Sequence, residues 1–202
     1  MKKLDMLVTG VGGQGVVLTS DIIAQAAIAA GYDTKKTDTI GMSQRGGSVI
    51  SHVRIGTEVH SPLIKQGDVD ILLAFEKLEA ARWGHYLRHG GIAIINNLAL
   101  PPLSVSLGEE RYPGDDEMID ILKQQADSVY LVDGSQRVKE LGNVRTLNMF
   151  MLGCASPFIP FKISTWQDEI SQYLPDKVRQ INLTAFEQGR EQINKEIKNA
   201  HI

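Results

Sequence analysis

Three glycines near the start of the chain have the spacing of a phosphate-binding turn. They are Gly10, Gly12 and Gly15, with an apolar run at residues 4–8 before them and a stretch rich in Ala, Ile and Leu at residues 16–30 after them. In a strand–turn–helix unit such glycines permit a tight turn, a close approach of phosphate to the backbone, and close packing of helix on strand. The unpaired amides at the start of the helix favour an anion. The alternative is a tight turn that binds nothing.

A second glycine-rich segment, residues 41–48, contains Arg45. In residues 49–56, which follow, apolar and polar side chains alternate as expected for a half-buried strand. Both glycine-rich segments therefore adjoin strands, and we expect them to share one anion-facing edge. Taken alone, the second segment is equally typical of an ordinary turn with a solvated arginine.

The acidic residue that would bind a ribose is not at its usual place. A dinucleotide site needs an Asp or Glu at the end of the second strand, about 20 residues after the glycines. Here Asp33 comes early in that strand, and Asp38 is expected in the loop after it, with two lysines between them. The pattern argues against NAD but not against other phosphate-bearing ligands.

The remaining reactive side chains predict neither a catalytic residue nor a metal site. His85 and His89 are four residues apart on a predicted helix, but a metal needs further ligands, so a solvated helix face is the simpler interpretation. His52 follows the second glycine segment, where a histidine satisfied within the sheet is favoured over a ligand contact. Cys154 lies among apolar residues and is expected to be an inert core residue.

The composition is that of an ordinary globular protein. Of 202 residues, 43% are hydrophobic and 22% are charged, with a formal net charge of -3. This charge offers no basic field to nucleic acid or an anionic membrane, and no apolar stretch approaches the ~20 residues that span a bilayer. The single cysteine excludes an internal disulfide and the four thiolates of an iron–sulfur cluster. We expect a cytoplasmic protein.

The order of elements predicts an α/β fold with three α/β/α layers, Rossmann-like, around a mainly parallel sheet. Buried strands are expected at residues 4–8, 71–75, 92–97 and 129–133. An antiparallel hairpin is possible between residues 49–55 and 56–60. We expect a single domain, residues 1–202, that ends in a helical segment at about residues 144–199.

Three further stretches have a local prediction. Residues 76–88 predict a helix and residues 104–107 a short strand. The apolar helix around Phe150 is either core or a subunit interface, since Met and aromatic residues are enriched at interfaces. If it is an interface, the isolated chain forms a homodimer.

Taken together, the two glycine segments resemble one protein family. The quoted segments are Gly10-Val11-Gly12-Gly13-Gln14-Gly15, then residues 37–48, then the strand with His52-Val53-Arg54. In this order and separation they resemble the gamma subunit or domain of 2-oxoacid:ferredoxin oxidoreductases, and most of all the small beta subunit of the indolepyruvate type. The resemblance covers roughly residues 4–190, and its specific signal lies within residues 8–54.

The resemblance implies coenzyme A-dependent oxidative decarboxylation of an aryl 2-oxoacid, with reduction of ferredoxin. In that family a larger partner subunit holds thiamine diphosphate, Mg and the [4Fe-4S] clusters. This chain lacks the cysteines for a cluster, and Asn96-Asn97 has no Gly-Asp-Gly before it to form a diphosphate–metal motif. Apart from a contact with coenzyme A, no cofactor is expected on this chain.

The resemblance further implies a supporting role for both glycine segments. They would face anionic groups of coenzyme A or substrate, or close the active site of the partner. The implied binding residues are Gly10, Gly12, Gly13, Gln14 and Gly15 in the first segment and Ser43, Gln44, Arg45, Gly46 and Gly47 in the second. Arg54 is a weaker candidate. A hypothesis of a different class is a stand-alone, non-catalytic module that binds a nucleotide or phosphate.

Overall fold

The computed structural model describes residue 1, residues 3–40 and residues 46–200. The strands are β1 (Lys3–Val11), β2 (Asp33–Ile40), β3 (Ser48–Gly56), β4 (Val69–Ala74), β5 (Leu87–Asn96) and β6 (Ala126–Val132). The helices are α1 (Val16–Ala29), α2 (Lys77–Trp83), α3 (Leu103–Ser106), α4 (Asp115–Lys123), α5 (Gly134–Glu140), α6 (Leu147–Ala155), α7 (Ile163–Tyr173) and α8 (Asp176–Ala200). Short 3-10 turns occupy Gly84–Tyr86, Val144–Thr146 and Ser156–Phe158.

The strands form one six-stranded sheet in the order β2-β3-β1-β4-β5-β6. The strands β1, β4, β5 and β6 are parallel, whereas β3 is antiparallel to both of its neighbours, β1 and β2. The mainly parallel sheet is therefore confirmed. The antiparallel hairpin is formed by β2 and β3, and its predicted place between β3 and residues 56–60 is wrong. Because β3 has a partner on each side, it has no free edge for that segment.

Side chains alternate across the central strands and build two cores. On β1, Met6 and Val8 face the core formed with α1, α6, α7 and α8, whereas Leu7 faces the second core, on the side of α2 and α4. Strands buried on both faces have continuous apolar sequences because neither face meets water. The helices on both faces confirm the three-layer α/β/α architecture.

The helix α6 is buried along its whole length. Every residue of Leu147–Ala155 is buried, and α8 packs across it. Phe150 is therefore a core residue, and the alternative of a subunit interface at this helix is wrong. A homodimer stays a prediction that would need another surface. Of the helices in the described ranges, none combines the length and apolar character needed to cross a bilayer.

Three local predictions are wrong. The helix predicted for residues 76–88 ends at Trp83 and a 3-10 turn, because Leu87 already pairs with Val69 in the sheet. The strand predicted for residues 104–107 is replaced by α3, which begins after Pro102, whose φ of −59° suits a helix start. Asp38 lies within β2 rather than in the loop after it.

Candidate functional site

The first glycine segment forms the predicted turn between β1 and α1. Gly13 and Gly15 have φ angles of +103° and +85°, in the left-handed region that side chains rarely tolerate. The helix begins at Val16, directly after Gly15, and no side chain of the described residues caps its amides. These amides are available to an anion.

The Gln14 side chain fastens this turn to the end of β4. Its Oε1 accepts a hydrogen bond from the Val11 amide at 2.7 Å, and its Nε2 donates to the Phe75 carbonyl at 3.2 Å. A β-carbon on Gly10 would lie 2.7 Å from Gln14 Oε1 and 2.8 Å from Phe75 Cβ. Gly10 and the Gln14 side chain therefore shape the turn.

The first glycine turn lies between two neighbouring strands whose following helices pack on opposite faces of the sheet. The strand β1 leads into α1 on one face, and β4 leads into α2 on the other. The crevice at the carboxyl ends of two such strands is the usual ligand position in α/β sheets. The Phe75 amide donates to the Thr9 carbonyl at 2.9 Å, which keeps the two strand ends together.

The second glycine segment returns to the first. The Gly12 amide donates to the Gly47 carbonyl at 2.8 Å, and the Gly46 amide donates to the Gly12 carbonyl at 3.5 Å. The structure therefore brings the two segments together at one edge of the sheet. Three of the predicted residues lie outside the described residues: Ser43, Gln44 and Arg45.

Two buried glutamates support this edge, and sequence reasoning missed both. The Glu79 carboxylate accepts hydrogen bonds from the Ser48 hydroxyl and the Trp83 indole N–H. Glu76 caps α2 by accepting from the Glu79 amide at 2.9 Å, and it also accepts from the Tyr112 hydroxyl. Burial, together with the Glu76 carboxylate, raises the pKa of Tyr112, so the phenol stays a donor. No spacing signal reveals such a cluster, because Ser48 and Tyr112 are distant in the chain from the glutamates.

Arg54 lies at the opposite end of the sheet. Its Nε donates to the Asp5 carboxylate at 3.0 Å, and a terminal nitrogen donates to the carbonyls of Ser61 and Leu63. Six residues of extended strand, about 20 Å, separate Arg54 from Ser48. The structure does not bring this weaker candidate to the glycine segments. It neutralises a buried carboxylate instead.

The histidines at positions 52, 85 and 89 form no shared site. His52 is 5% exposed, and its Nδ1 accepts from the Ile64 amide at 3.3 Å, so it is satisfied within the protein as predicted. Burial lowers the pKa of His52 and favours the neutral ring. His85 lies in a 3-10 turn and His89 in β5, so the predicted common helix face does not exist.

The described residues contain no group of three or more His, Cys, Asp or Glu arranged to hold a metal ion. Cys154 is fully buried, and its Sγ donates to the Gly189 carbonyl at 3.4 Å. The predicted core position of Cys154 is confirmed, and burial raises the pKa of its thiol. The Asn96 side chain donates to the Phe75 carbonyl and accepts from the Ser135 amide, and the Asn97 side chain donates to the Asp133 carboxylate.

A cavity of about 540 Å³ opens beside the first glycine turn, and we call it the turn cavity. Residues 13–15 form one side of it. Its apolar lining is Leu98, Leu100, Val138, Val144 and Leu147, and its other polar residues are Ser135, Arg145 and Asn148. Sequence reasoning missed these three, because only the fold brings them to the distant glycine turn.

Comparison with known proteins identifies relatives of similar length. Residues 5–192 match the model of the pyruvate ferredoxin/flavodoxin oxidoreductase family. Proteins named indolepyruvate oxidoreductase subunit IorB, from Thermococcus kodakarensis and Archaeoglobus fulgidus, are 36% and 38% identical to this chain over 192 residues. The alignment with the Thermococcus protein covers 94% of this chain and 95% of that relative.

Two solved structures share the fold. The gamma subunit of a keto/oxoacid ferredoxin oxidoreductase from Geobacter sulfurreducens has a TM-score of 0.70 at 22% identity, and the match covers 95% of this chain and 99% of that chain. A 2-oxoglutarate:ferredoxin oxidoreductase from Magnetococcus marinus has a TM-score of 0.73 at 24% identity. That match covers 96% of this chain and 32% of the Magnetococcus chain. These likenesses show the fold, and the family match over residues 5–192 shows more: the chain belongs to the pyruvate ferredoxin/flavodoxin oxidoreductase family.

Proposed function

We propose that this chain is the non-cluster subunit of a 2-oxoacid:ferredoxin oxidoreductase of the indolepyruvate type. The observation that carries the proposal is the nearly end-to-end match to an IorB subunit, at 36% identity over 94% of this chain and 95% of the relative. The complex would convert an aryl 2-oxoacid and coenzyme A into an acyl-CoA and carbon dioxide. The two electrons released would pass to ferredoxin.

A larger partner subunit would hold thiamine diphosphate, Mg and the [4Fe-4S] clusters. The residues of this chain support that division of labour. Its one cysteine, Cys154, is fully buried in the core, and Asn96 and Asn97 are bonded within the chain. One cysteine cannot supply the four thiolates of a [4Fe-4S] cluster, so the residues present here do not fit that group.

This chain would contribute an anion-facing edge. The first glycine turn presents amides of α1 that no described side chain caps, and the bond between Gly12 and Gly47 holds the second segment beside it. Backbone amides at a helix start bind phosphate and carboxylate well, and an arginine such as Arg45 binds them bidentately. We propose that this edge faces anionic groups of coenzyme A or substrate, or closes the active site of the partner. The Magnetococcus marinus structure was solved with coenzyme A bound.

The test is activity of the assembled complex. The chain is co-expressed with a thiamine-dependent, cysteine-rich large subunit from the same genome, purified without oxygen, and assayed for 2-oxoacid-dependent dye reduction with and without coenzyme A. We expect activity only with both chains and coenzyme A, and a preference for aryl over branched and short 2-oxoacids. A stable complex inactive on every acid would overturn the proposal and favour a stand-alone nucleotide- or phosphate-binding module.

The contribution of the edge is tested by Arg45→Ala in the active complex. We expect the KM for coenzyme A or for the 2-oxoacid to rise about tenfold, the effect of losing one charge-assisted contact. Arg111→Ala is the matched control, because Arg111 is an exposed arginine paired with Glu117. Unchanged kinetics in Arg45→Ala for both substrates would remove Arg45 from the site.

A further inference from the structure

Asn148 presents its side-chain amide nitrogen, which has no acceptor among the described residues, to the turn cavity. The residue is 6% exposed and lines the cavity, and its Nδ2 lies 2.9 Å from where a β-carbon on Gly15 would stand. Its Oδ1 accepts from the Met149 amide at 2.9 Å, whereas Nδ2 donates to no acceptor within residues 3–40 and 46–200. Nδ2 faces the open cavity and is not sealed from water, so its N–H groups can donate to the oxygen of a ligand there.

Two further donors lie in the same cavity. The Ser135 Oγ accepts from Asn96 Nδ2 at 2.9 Å, which leaves the hydroxyl proton free to donate. Arg145 is exposed at the cavity, and its guanidinium forms no ion pair with a carboxylate of the described part of the chain. These side chains, with the amides of α1 that no described side chain caps, offer hydrogen-bond donors and one positive charge.

The rest of the turn cavity is apolar. Leucine and valine side chains line it, and two of them, Leu100 and Val144, are 40% and 65% exposed. An apolar ligand that covers exposed apolar side chains at the mouth of a cavity removes their surface from water, which favours binding. The volume of about 540 Å³ is ordinary for a small-molecule site.

We propose that the turn cavity binds an organic acid with an aromatic or branched apolar body. Its carboxylate would accept hydrogen bonds from Asn148 and Ser135 and pair with Arg145. Its body would lie against Leu98, Leu100 and the valines. This deepens the proposed function and rests on the assignment of the first glycine turn to a ligand-facing edge.

The chemistry of the lining favours such an acid over a nucleotide. A phosphate monoester carries a charge of about −1.5 to −2 at pH 7. The cavity lining contains one arginine, which balances only part of that charge. Ribose hydroxyls and a base amino group need acceptors, and no carboxylate of the described residues lines the cavity. A single carboxylate on an apolar body matches both the charge and the donors.

Binding to the full-length chain tests the inference without the partner subunit. Calorimetric titrations use indole-3-acetate and phenylacetate as probes, with indole-3-acetamide, ADP and inorganic phosphate for comparison. We expect saturable binding of the two acids and binding at least about tenfold weaker for the amide, which lacks the charge. Tighter binding of ADP or phosphate, or no saturation by either acid in the millimolar range, would overturn the inference.

Two variants locate the site. Arg145→Ala alters an exposed side chain and keeps the fold, and Asn148→Asp keeps the acceptor for Met149 while placing a negative charge in the cavity. Each should weaken binding of the acids at least about tenfold. Arg137→Ala, an exposed arginine paired with Glu140, is the control and should bind normally. Equal affinity in all three would contradict the site. Inactivity of the assembled complex tests the proposed function separately.

Discussion

Gly153 of α6 and Gly189 of α8 stand where the two helix backbones touch. A β-carbon on Gly153 would lie 2.0 Å from the Phe186 carbonyl oxygen, and one on Gly189 would lie 2.0 Å from the Phe150 carbonyl oxygen. Only glycine fits at either position, because the obstructing atoms belong to backbone that cannot rotate away. The contact matters to the site because α6 also carries Asn148.

Gly153→Ala is expected to lower the free energy of unfolding by about 1–3 kcal/mol through overpacking. The helix preference of alanine over glycine, about 1 kcal/mol, acts in the opposite direction. Urea unfolding measures the difference. Gly114→Ala is the control, because a β-carbon there meets nothing within 4 Å, and its stability should stay close to that of the parent. A variant at Gly153 as stable as the parent would show that the helices can separate without cost.

Gln14→Glu tests the bridge between the first turn and the end of β4. The carboxylate still accepts from the Val11 amide, but it cannot donate to the Phe75 carbonyl and instead repels it. We expect a loss of about 1–3 kcal/mol in the free energy of unfolding. Gln180→Glu, on the exposed side of α8, makes the same chemical change without this partner and should be nearly neutral. If both changes lower the free energy of unfolding equally, the bridge from Gln14 to Phe75 does not stabilise the fold.

The buried His52 makes stability depend on pH. Burial lowers its pKa in the folded state below the ordinary value of 6.5. Below that value His52 is protonated in the unfolded chain but stays neutral in the folded chain. The free energy of unfolding therefore decreases as the pH falls. Denaturant titrations between pH 7.5 and 5 should show a shallower decrease for His52→Asn than for the parent. His89→Asn alters an exposed histidine and should keep the parental slope.

The Cys154 thiol is expected to be unreactive in the folded protein. It is fully buried, its pKa is raised by burial, and the thiolate is the reactive form. A chromogenic disulfide reagent should detect no thiol in native buffer and one thiol per chain in denaturant. Rapid labelling of the native protein would mean that α6 opens readily, since α8 covers this residue.

Much of the fold was predictable because its signals are local. The turn at residues 10–15 depends on backbone conformations that glycine adopts, and Gly13 and Gly15 have the positive φ angles that this requires. The apolar run at residues 71–75 predicted a buried strand, which the structure has as Val69–Ala74, because both faces of a central parallel strand lie against helices. The pairing of two glycine segments also identified the family, since each segment has a characteristic order of residues.

The tertiary structure decided what depends on contacts between distant residues. The direction of β3 follows from its pairing with β1 and β2, and that direction carries Arg54 away from the glycine segments. The sequence by itself determined the strand–glycine turn–helix unit and the absence of cluster ligands. Only the fold set Asn148 beside Gly15 and joined Gln14 to Phe75, because hydrogen bonds and packing act through space and leave no spacing pattern in the chain.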